Sequence, residues 1–251
     1  MEVLTLPELF NDEIITVFTD ASSIAQKHGK YITASAVVVF LGNKIINTGV
    51  YSFKDSTISV AELFAVYQGV IMGYQVAKYY DKKISFLFSD SSFAISGLTN
   101  WLQSWIMKHD DGLFYNSSGG IVAHQHLFQS VISFINMTEY NVRLVKIRGH
   151  VNTDNNLSKA ITYINNNNYA FSSVFLQRTV VHEISRRNNL VDEIARKSIT
   201  DMTEEQQLSL PSAESAFPVH FLGINSADYD KYIKLINYTK GVRKENGRIY
   251  Y

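Results

Sequence analysis

The sequence predicts an α/β fold on a five-stranded mixed sheet, a three-stranded antiparallel meander extended by parallel strands and flanked by helices. Three observations predict it. Short β-branched and aromatic runs recur up to Ile147. The first three follow one another closely, which makes them a meander. A long stretch of helical periodicity then separates the third run from the fourth. Such a strand, helix and strand form a crossover, so the fourth strand lies parallel to the first and beside it.

Ile14 to Phe18 reads as a strand buried on both faces, with Asp20 at its carboxyl end, where open α/β sheets hold ligands and metals. An aspartate there also opens a turn well, so Asp20 alone decides nothing. Ala21 to Tyr31 is polar and reads as a loop. Thr33 to Leu41 and Lys44 to Phe53 are the second and third strands, with Gly42-Asn43 as the hairpin turn. Helical spacing starts at Ser59, read as the N-cap, and runs through Val60, Leu63, Phe64, Tyr67, Val70, Ile71 and Tyr74. Ile84 to Phe88 is the fourth strand and ends on Ser89-Asp90.

Leu98 to Trp105 is a short amphipathic helix, with Trp101 and Trp105 assigned to the core. Asp110 to Gly120 is a loop by composition, Ile121 to Ile135 a helix, and Asn141 to Ile147 the fifth strand, leading into Arg148-Gly149-His150. An asparagine-rich stretch follows. Phe171 to Arg186 reads as a helix, and a further helix passes through Leu190, Ile194 and Ala195 toward Ile199. Residues 201–215 are polar and read as a linker. Residues 216–251 form a C-terminal extension with a short helix around Tyr229 to Tyr238. From Lys231 onward its basic residues are Lys231, Lys234, Lys240, Arg243, Lys244 and Arg248, against the single acid Glu245.

Composition narrows the function classes. The chain has 251 residues, 46% hydrophobic and 13% aromatic, which supports a packed core and excludes a disordered protein. Net charge is zero, so any nucleic-acid surface must be local. Cysteine is absent, which removes disulfides, thiolate nucleophiles and thiolate-bound zinc. The start lacks a signal peptide's pattern and no run approaches a membrane span, so a soluble cytoplasmic protein without membrane contact is expected.

Three acids have related addresses. Asp20 ends the first strand, Asp90 ends its expected parallel neighbour, and Glu62 lies in the first turns of the helix between them. Neighbouring strands are about 4.8 Å apart, which makes the two aspartates adjacent. Clustered acids repel one another unless a cation neutralises them. Hard oxygen ligands point to magnesium or manganese, and two such ions suit in-line displacement at a phosphodiester. The spread of the acids over a strand, a helix and a second strand favours an endonuclease-type site over the exonuclease pattern of two acids on one strand.

At these residues the sequence resembles type 1 ribonuclease H. Thr19 to Ser22 is similar to that family's first-strand motif, with Ala21 where the family usually has Gly. Ala61-Glu62-Leu63 resembles its helix motif, Ser89-Asp90-Ser91 its fourth-strand motif, Asn100 to Trp105 its tryptophan helix, and Lys146 to His150 the strand leading into its mobile histidine. The family's last acid lies about ten residues beyond that histidine, where this chain has Ala160; Asn188 to Ala195 has the required shape instead. The resemblance therefore covers residues 12–200, with an insertion at about 151–187.

The resemblance implies an RNase H-like fold and hydrolysis of the RNA strand of RNA·DNA hybrids with two magnesium ions, or manganese. It implies that Asp20 bridges both ions, that Glu62 and Asp90 complete one site, and that Asp192 completes the other, with Asp154 as rival for the fourth place. His150 assists proton transfer or product departure. Ser22, Ser59 and Ser92 stand where the family contacts 2′-hydroxyls. The family's basic protrusion after the tryptophan helix is missing or inverted, since Lys108 there is set against Asp110 and Asp111. Lys240, Arg243 and Lys244 in the tail, or Arg178, Arg186 and Arg187 in the insertion, are the candidates to replace it. The alternatives are a nuclease of this fold acting on DNA or on branched or single-stranded nucleic acid, and a catalytically inactive module that binds nucleic acid or protein.

Overall fold

The computed structural model describes residues 2–25, 31–106, 113–151, 154–167, 169–171, 174–213, 226–236, 243–245 and 248–250. The chain begins with strand β1 (Glu2–Leu4) and a short helix α1 (Leu6–Leu9), then enters the central strand β2 (Ile14–Ala25). Strands β3 (Tyr31–Leu41) and β4 (Lys44–Lys54) complete the meander, turning at Gly42, whose φ of +57° is the left-handed region that glycine adopts without strain. Helix α2 (Ile58–Tyr79) crosses the sheet to β5 (Ile84–Ser89). A continuous helical run follows: α3 (Ser92–Ser96), a π-helical turn (Gly97–Trp101) and α4 (Leu102–Ile106). Helix α5 (Gln125–Thr138) and strand β6 (Val142–Lys146) lead to α6 (Asp154–Asn167), β7 (Val174–Leu176) and α7 (Arg178–Thr200). The last described elements are α8 (Glu204–Ser209), a helix at Ser226–Ile236, and the paired strands β8 (Arg243–Glu245) and β9 (Arg248–Tyr250).

The main sheet has the order β4-β3-β2-β5-β6, with the meander antiparallel and β2, β5 and β6 mutually parallel. Alternation along the strands divides the core in two. Ile15, Val17 and Leu87 face α2 and α5, while Ile14, Phe18, Phe86 and Phe88 face α6 and α7. On the second face Phe18 stacks on Phe88 at 4.8 Å between ring centroids. On the first, α2 presses close to the strands: a Cβ built on Gly69 would lie 2.6 Å from Thr19 Cγ2.

Several sequence expectations are corrected. The first strand does not end at Asp20: β2 continues to Ala25, held by antiparallel pairing with β3 from Asp20↔Ala36 to Ala25↔Tyr31. The N-cap of α2 is Thr57, whose Oγ1 accepts from Val60 N at 3.3 Å, and Ser59 is inside the helix. The two late helices are one, α7, which starts only at Arg178; Val174–Leu176, expected inside the first of them, form strand β7. Residues 178–187, expected within the insertion, are the first turns of α7. The expected linker contains α8, closed by a Thr203–Gln206 capping box, and Ser212 bridges to Lys54. Trp105 is buried against Phe114 and Phe128, whereas Trp101 leans on it from outside and is 41% exposed. The parallel pairing of β1 with β7 was not anticipated.

The expected phosphate-binding arginines of the insertion are engaged in structure. Arg187 is fully buried: Nε meets Glu183 at 2.7 Å, Nη1 donates to Thr16 Oγ1 and the Gly42 carbonyl, and Nη2 donates to Asn43 Oδ1. Its guanidinium lies 4.2 and 4.3 Å from the ring centroids of Phe10 and Phe40. A buried charge needs this full set of partners. Arg186 pairs with Glu183, and Arg178 with Asp154.

Candidate active site

The parallel pairing of β2 with β5 ends at Thr19↔Ser89, so Asp20 and Asp90 leave it side by side. Asp20, two residues beyond Phe18, shares the sheet face that α7 covers. It is 8% exposed, and its Oδ1 accepts from the Ala21 amide at 2.7 Å. Glu62 enters from the first turns of α2, which Ser35 Oγ ties to the sheet by donating to the Ala61 carbonyl at 2.6 Å. Ser91 Oγ donates to Glu62 Oε2 at 2.7 Å and accepts from Ala94 N, so the residue that caps α3 also fixes the acid.

Helix α7 closes the group from the other side. Asn188 Nδ2 donates to Asp90 Oδ2 at 3.3 Å, and Asp192 is one turn further on. Asn188 Oδ1 is buried with no hydrogen-bond partner among the described residues. The loop after β6 completes the rim. A Cβ on Gly149 would lie 2.1 Å from Asp90 Oδ2, so any other residue there would displace the carboxylate from its present position.

Burial pushes the Asp20 carboxyl up to about 8, reinforced by the like charges of Asp90, Asp192 and Glu62 and opposed by the Ala21 hydrogen bond. Glu62 is raised too, by burial and by Asp90, against the Ser91 hydrogen bond and Lys146. Burial lowers Lys146, while Asp90 and Glu62 draw it back up. Lys146 pairs in register with Ser89, and so stands beside the acids at the end of the sheet.

The structure thus gathers Asp20, Glu62, Asp90 and Asp192. Asp154 is elsewhere: it starts α6, its side chain is 94% exposed and bonded to Arg178 at 2.6 Å, and it is not among the charges acting on Asp20. His150 is exposed at the loop tip with φ +53°, beyond Gly149. Ser22 follows Asp20 on the same face of β2, Ser59 precedes Glu62 by one turn of α2, and Ser92 is the exposed first residue of α3. Of the three expected tail contacts, Lys244 is engaged within the chain, bound to Glu8 at 2.8 Å and to the Val3 carbonyl. Tyr232 is buried with its hydroxyl on the Leu98 carbonyl. Arg243 lies in β8, and Lys240 lies outside the described residues. Sequence reasoning assigned no role to Ser91, Asn188 or Lys146. Their signal was position: beside Asp90, one helical turn before Asp192, and opposite the strand end that carries Asp90.

The donor set is all oxygen. Among the described residues no group of three or more His, Asp or Glu is arranged to hold a metal ion. The RNase H model matches residues 12–200. The chain belongs to the RNase H family. Among solved structures, this family member is similar to the foamy viral protease-reverse transcriptase in complex with RNA/DNA hybrid, with a TM-score of 0.52 and 14% identity over 75% of its length. It spans only 20% of that longer chain. It is also similar to the PFV RNase H domain in solution, with a TM-score of 0.46 and 15% identity, covering 70% of this chain and 94% of that one. For LC9-RNase H1, a type 1 RNase H with the type 2 active-site motif, the TM-score is 0.39 and the identity 16%, over 61% of this chain and 72% of that one. No curated protein matches the sequence. The five-stranded sheet and its helices are the RNase H fold. No described helix is long and apolar enough to cross a membrane.

Proposed function

We propose that the chain is a metal-dependent endoribonuclease that hydrolyses the RNA strand of RNA·DNA hybrids. The observation that carries the reading is the gathering, in an RNase H family member, of Asp20 and Asp90 at the end of one parallel strand pair, with Glu62 and Asp192 brought to them by α2 and α7.

Asp20, Glu62, Asp90 and Asp192 are not drawn up as a metal cage among the described residues, but with a cation offsetting their repulsion they would hold two divalent ions, magnesium or manganese, as hard oxygen donors do. Two features fit that role: burial, reinforced by the like charges of Asp90, Asp192 and Glu62, pushes Asp20 up to about 8, which a bound cation would relieve, and the unpartnered Asn188 Oδ1 lies beside Asp90. Ions so held supply positive charge at the attacking and leaving oxygens of a phosphodiester. The protein does the rest. The Ala21 amide, Ser91 and Asn188 keep three of the carboxylates turned into the cluster. Water attacks phosphorus, the bond to the 3′-oxygen breaks, and the products carry a 3′-hydroxyl and a 5′-phosphate. His150, exposed on the loop whose Gly149 touches Asp90, exchanges the proton that this step moves. Ser22, two residues beyond Asp20, Ser59, one turn before Glu62, and Ser92, two residues beyond Asp90, would offer hydroxyls to the 2′-hydroxyls of the RNA strand.

The test is a panel of labelled hybrid, duplex DNA, single-stranded RNA and single-stranded DNA with magnesium or manganese. Cleavage confined to the RNA of the hybrid, and abolished by Asp90→Asn, is expected. Cleavage of DNA with the hybrid left intact would overturn the reading.

A further inference from the structure

Helix α6 docks through Leu157, Ala160, Ile161 and Ile164, the three-and-four spacing of a buried helical face. The neighbouring strip carries Ser158, Lys159, Thr162 and Tyr163. Together with Arg148 these residues line a concave groove of about 430 Å³. The lining holds two cations and no acid. Ser158 and Thr162 donate their protons to the carbonyls of Asp154 and Ser158, which leaves Arg148 and Lys159 as the charged donors of the groove. Neither Arg148 nor Lys159 forms an ion pair among the described residues.

The groove begins where the carboxylates end. Arg148 precedes Gly149, whose backbone abuts Asp90. The Lys146 ammonium lies 5.3 Å from the centroid of the Tyr163 ring, so one cation stands between the acids and the groove. A strand of nucleic acid carries a phosphate for roughly each 3.4 Å of helix axis, and a strand crossing the acids therefore brings further phosphates to the surface beside them. Arg187 is buried, and Arg178, Arg186 and Lys244 are held in ion pairs, so none of these can meet them freely.

We propose that the α6 groove binds the phosphodiester backbone of the nucleic acid that enters the carboxylate site, with Arg148 and Lys159 as its phosphate contacts. This rests on the nuclease reading above. Arg148 offers a bidentate fork to one phosphate and Lys159 a point charge to the next. Arg148 and Lys159 thereby take over the backbone-holding task for which residues 106–120 carry too little positive charge.

The experiment is fluorescence anisotropy of a labelled hybrid on the full chain in EDTA, at about 50–200 mM salt, for wild type, Arg148→Gln, Lys159→Gln and the double variant. Both side chains are exposed, and matching thermal melts establish that the variants fold. Each single change is expected to reduce the steepness of log K against log salt by about 1, and the double by about 2, with roughly tenfold weaker binding at the middle of the range. Lys44→Gln, at the opposite edge of the sheet, keeps the wild-type slope. A double variant with the wild-type slope overturns the groove, while hybrid cleavage by the wild type still supports the nuclease reading. A reduced slope in a chain that cleaves nothing supports the groove and removes the nuclease reading. A wild type that binds no nucleic acid overturns both.

Discussion

Asp20→Asn is expected to make the protein more stable while it destroys cleavage. The Asp20 carboxyl moves from 3.8 to about 8, because burial strips its solvent and because Asp90, Asp192 and Glu62 repel its charge, with only the Ala21 amide opposing. A carboxyl raised on folding binds its proton more tightly in the folded state. Its ionisation therefore costs stability, starting near pH 4 and growing until about pH 8. At pH 7 roughly three pH units of that interval have been crossed, and at about 1.4 kcal/mol per unit the cost is on the order of 4 kcal/mol. Asparagine keeps the shape and an acceptor for the Ala21 amide, but has no charge to ionise. In a domain of this size the gain corresponds to roughly 8–16 °C in Tm at pH 7. It shrinks to nothing near pH 4. The assay is thermal unfolding of both proteins at pH 4 and pH 7 in chelator, repeated with magnesium, which stabilises whatever folded form binds it. Magnesium raises the wild-type Tm more than that of the variant. A variant no more stable than wild type at pH 7, or a gain equal at both pH values, would refute the reasoning.

Three further outcomes follow from particular contacts. Asp192→Asn abolishes hybrid cleavage whereas Asp154→Asn leaves it unchanged, because Asp192 acts on Asp20 and Asp154 is bonded to Arg178 in solvent; the reverse result would move the fourth ligand to α6. Gly149→Ala drives a Cβ into Asp90 Oδ2, and since a carboxylate can swing aside more easily than backbone, cleavage falls about 100-fold with little change in Tm; steady-state rates beside a melt check it, and unimpaired cleavage counts against the site. Arg187→Met removes the guanidinium that joins α7 to Thr16, Gly42 and Asn43, and a lower urea midpoint worth about 3–5 kcal/mol is expected. Burial tends to raise its partner Glu183, but hydrogen bonds from Arg186 and Arg187 prevail and hold it below the usual carboxylate range. The stability this pair contributes is present above the unfolded carboxylate pKa and is lost as pH falls through the folded value, so the acid limb of the stability curve is shallower in Arg187→Met.

The parts of this molecule written in local pattern were legible. Ile14 to Phe18, Ile84 to Phe88 and the three-and-four spacing from Val60 onward each announce an element by themselves, and those elements bring Asp20, Asp90 and Glu62 together. What escaped depends on partners remote in sequence. Ser22 to Ala25 alternates between partly covered and exposed positions, so nothing in its composition separates it from a loop; β3 alone makes it strand. Arg187 resembles any surface arginine until Thr16 and the Phe10 and Phe40 rings are placed around it. The tail reads as a free basic arm because the contacts that fix Tyr232 and Lys244, the Leu98 carbonyl and Glu8, lie more than a hundred residues away.

Helix α7 carries Arg187 and Asp192 little more than one turn apart, so the side chain that clamps the helix and the acid that reaches the cluster move as one body. Asp20, Glu62 and Asp90, by contrast, belong to the sheet and to α2. A molecule whose α7 has slipped by a single turn would keep its strands, its helical content and three of its four acids, and would look native to any measurement of secondary structure. It would still fail at the cleavage proposed above. On the function proposed above, competence would be decided at the seating of one helix, and a preparation wholly folded by spectroscopy would be only fractionally active.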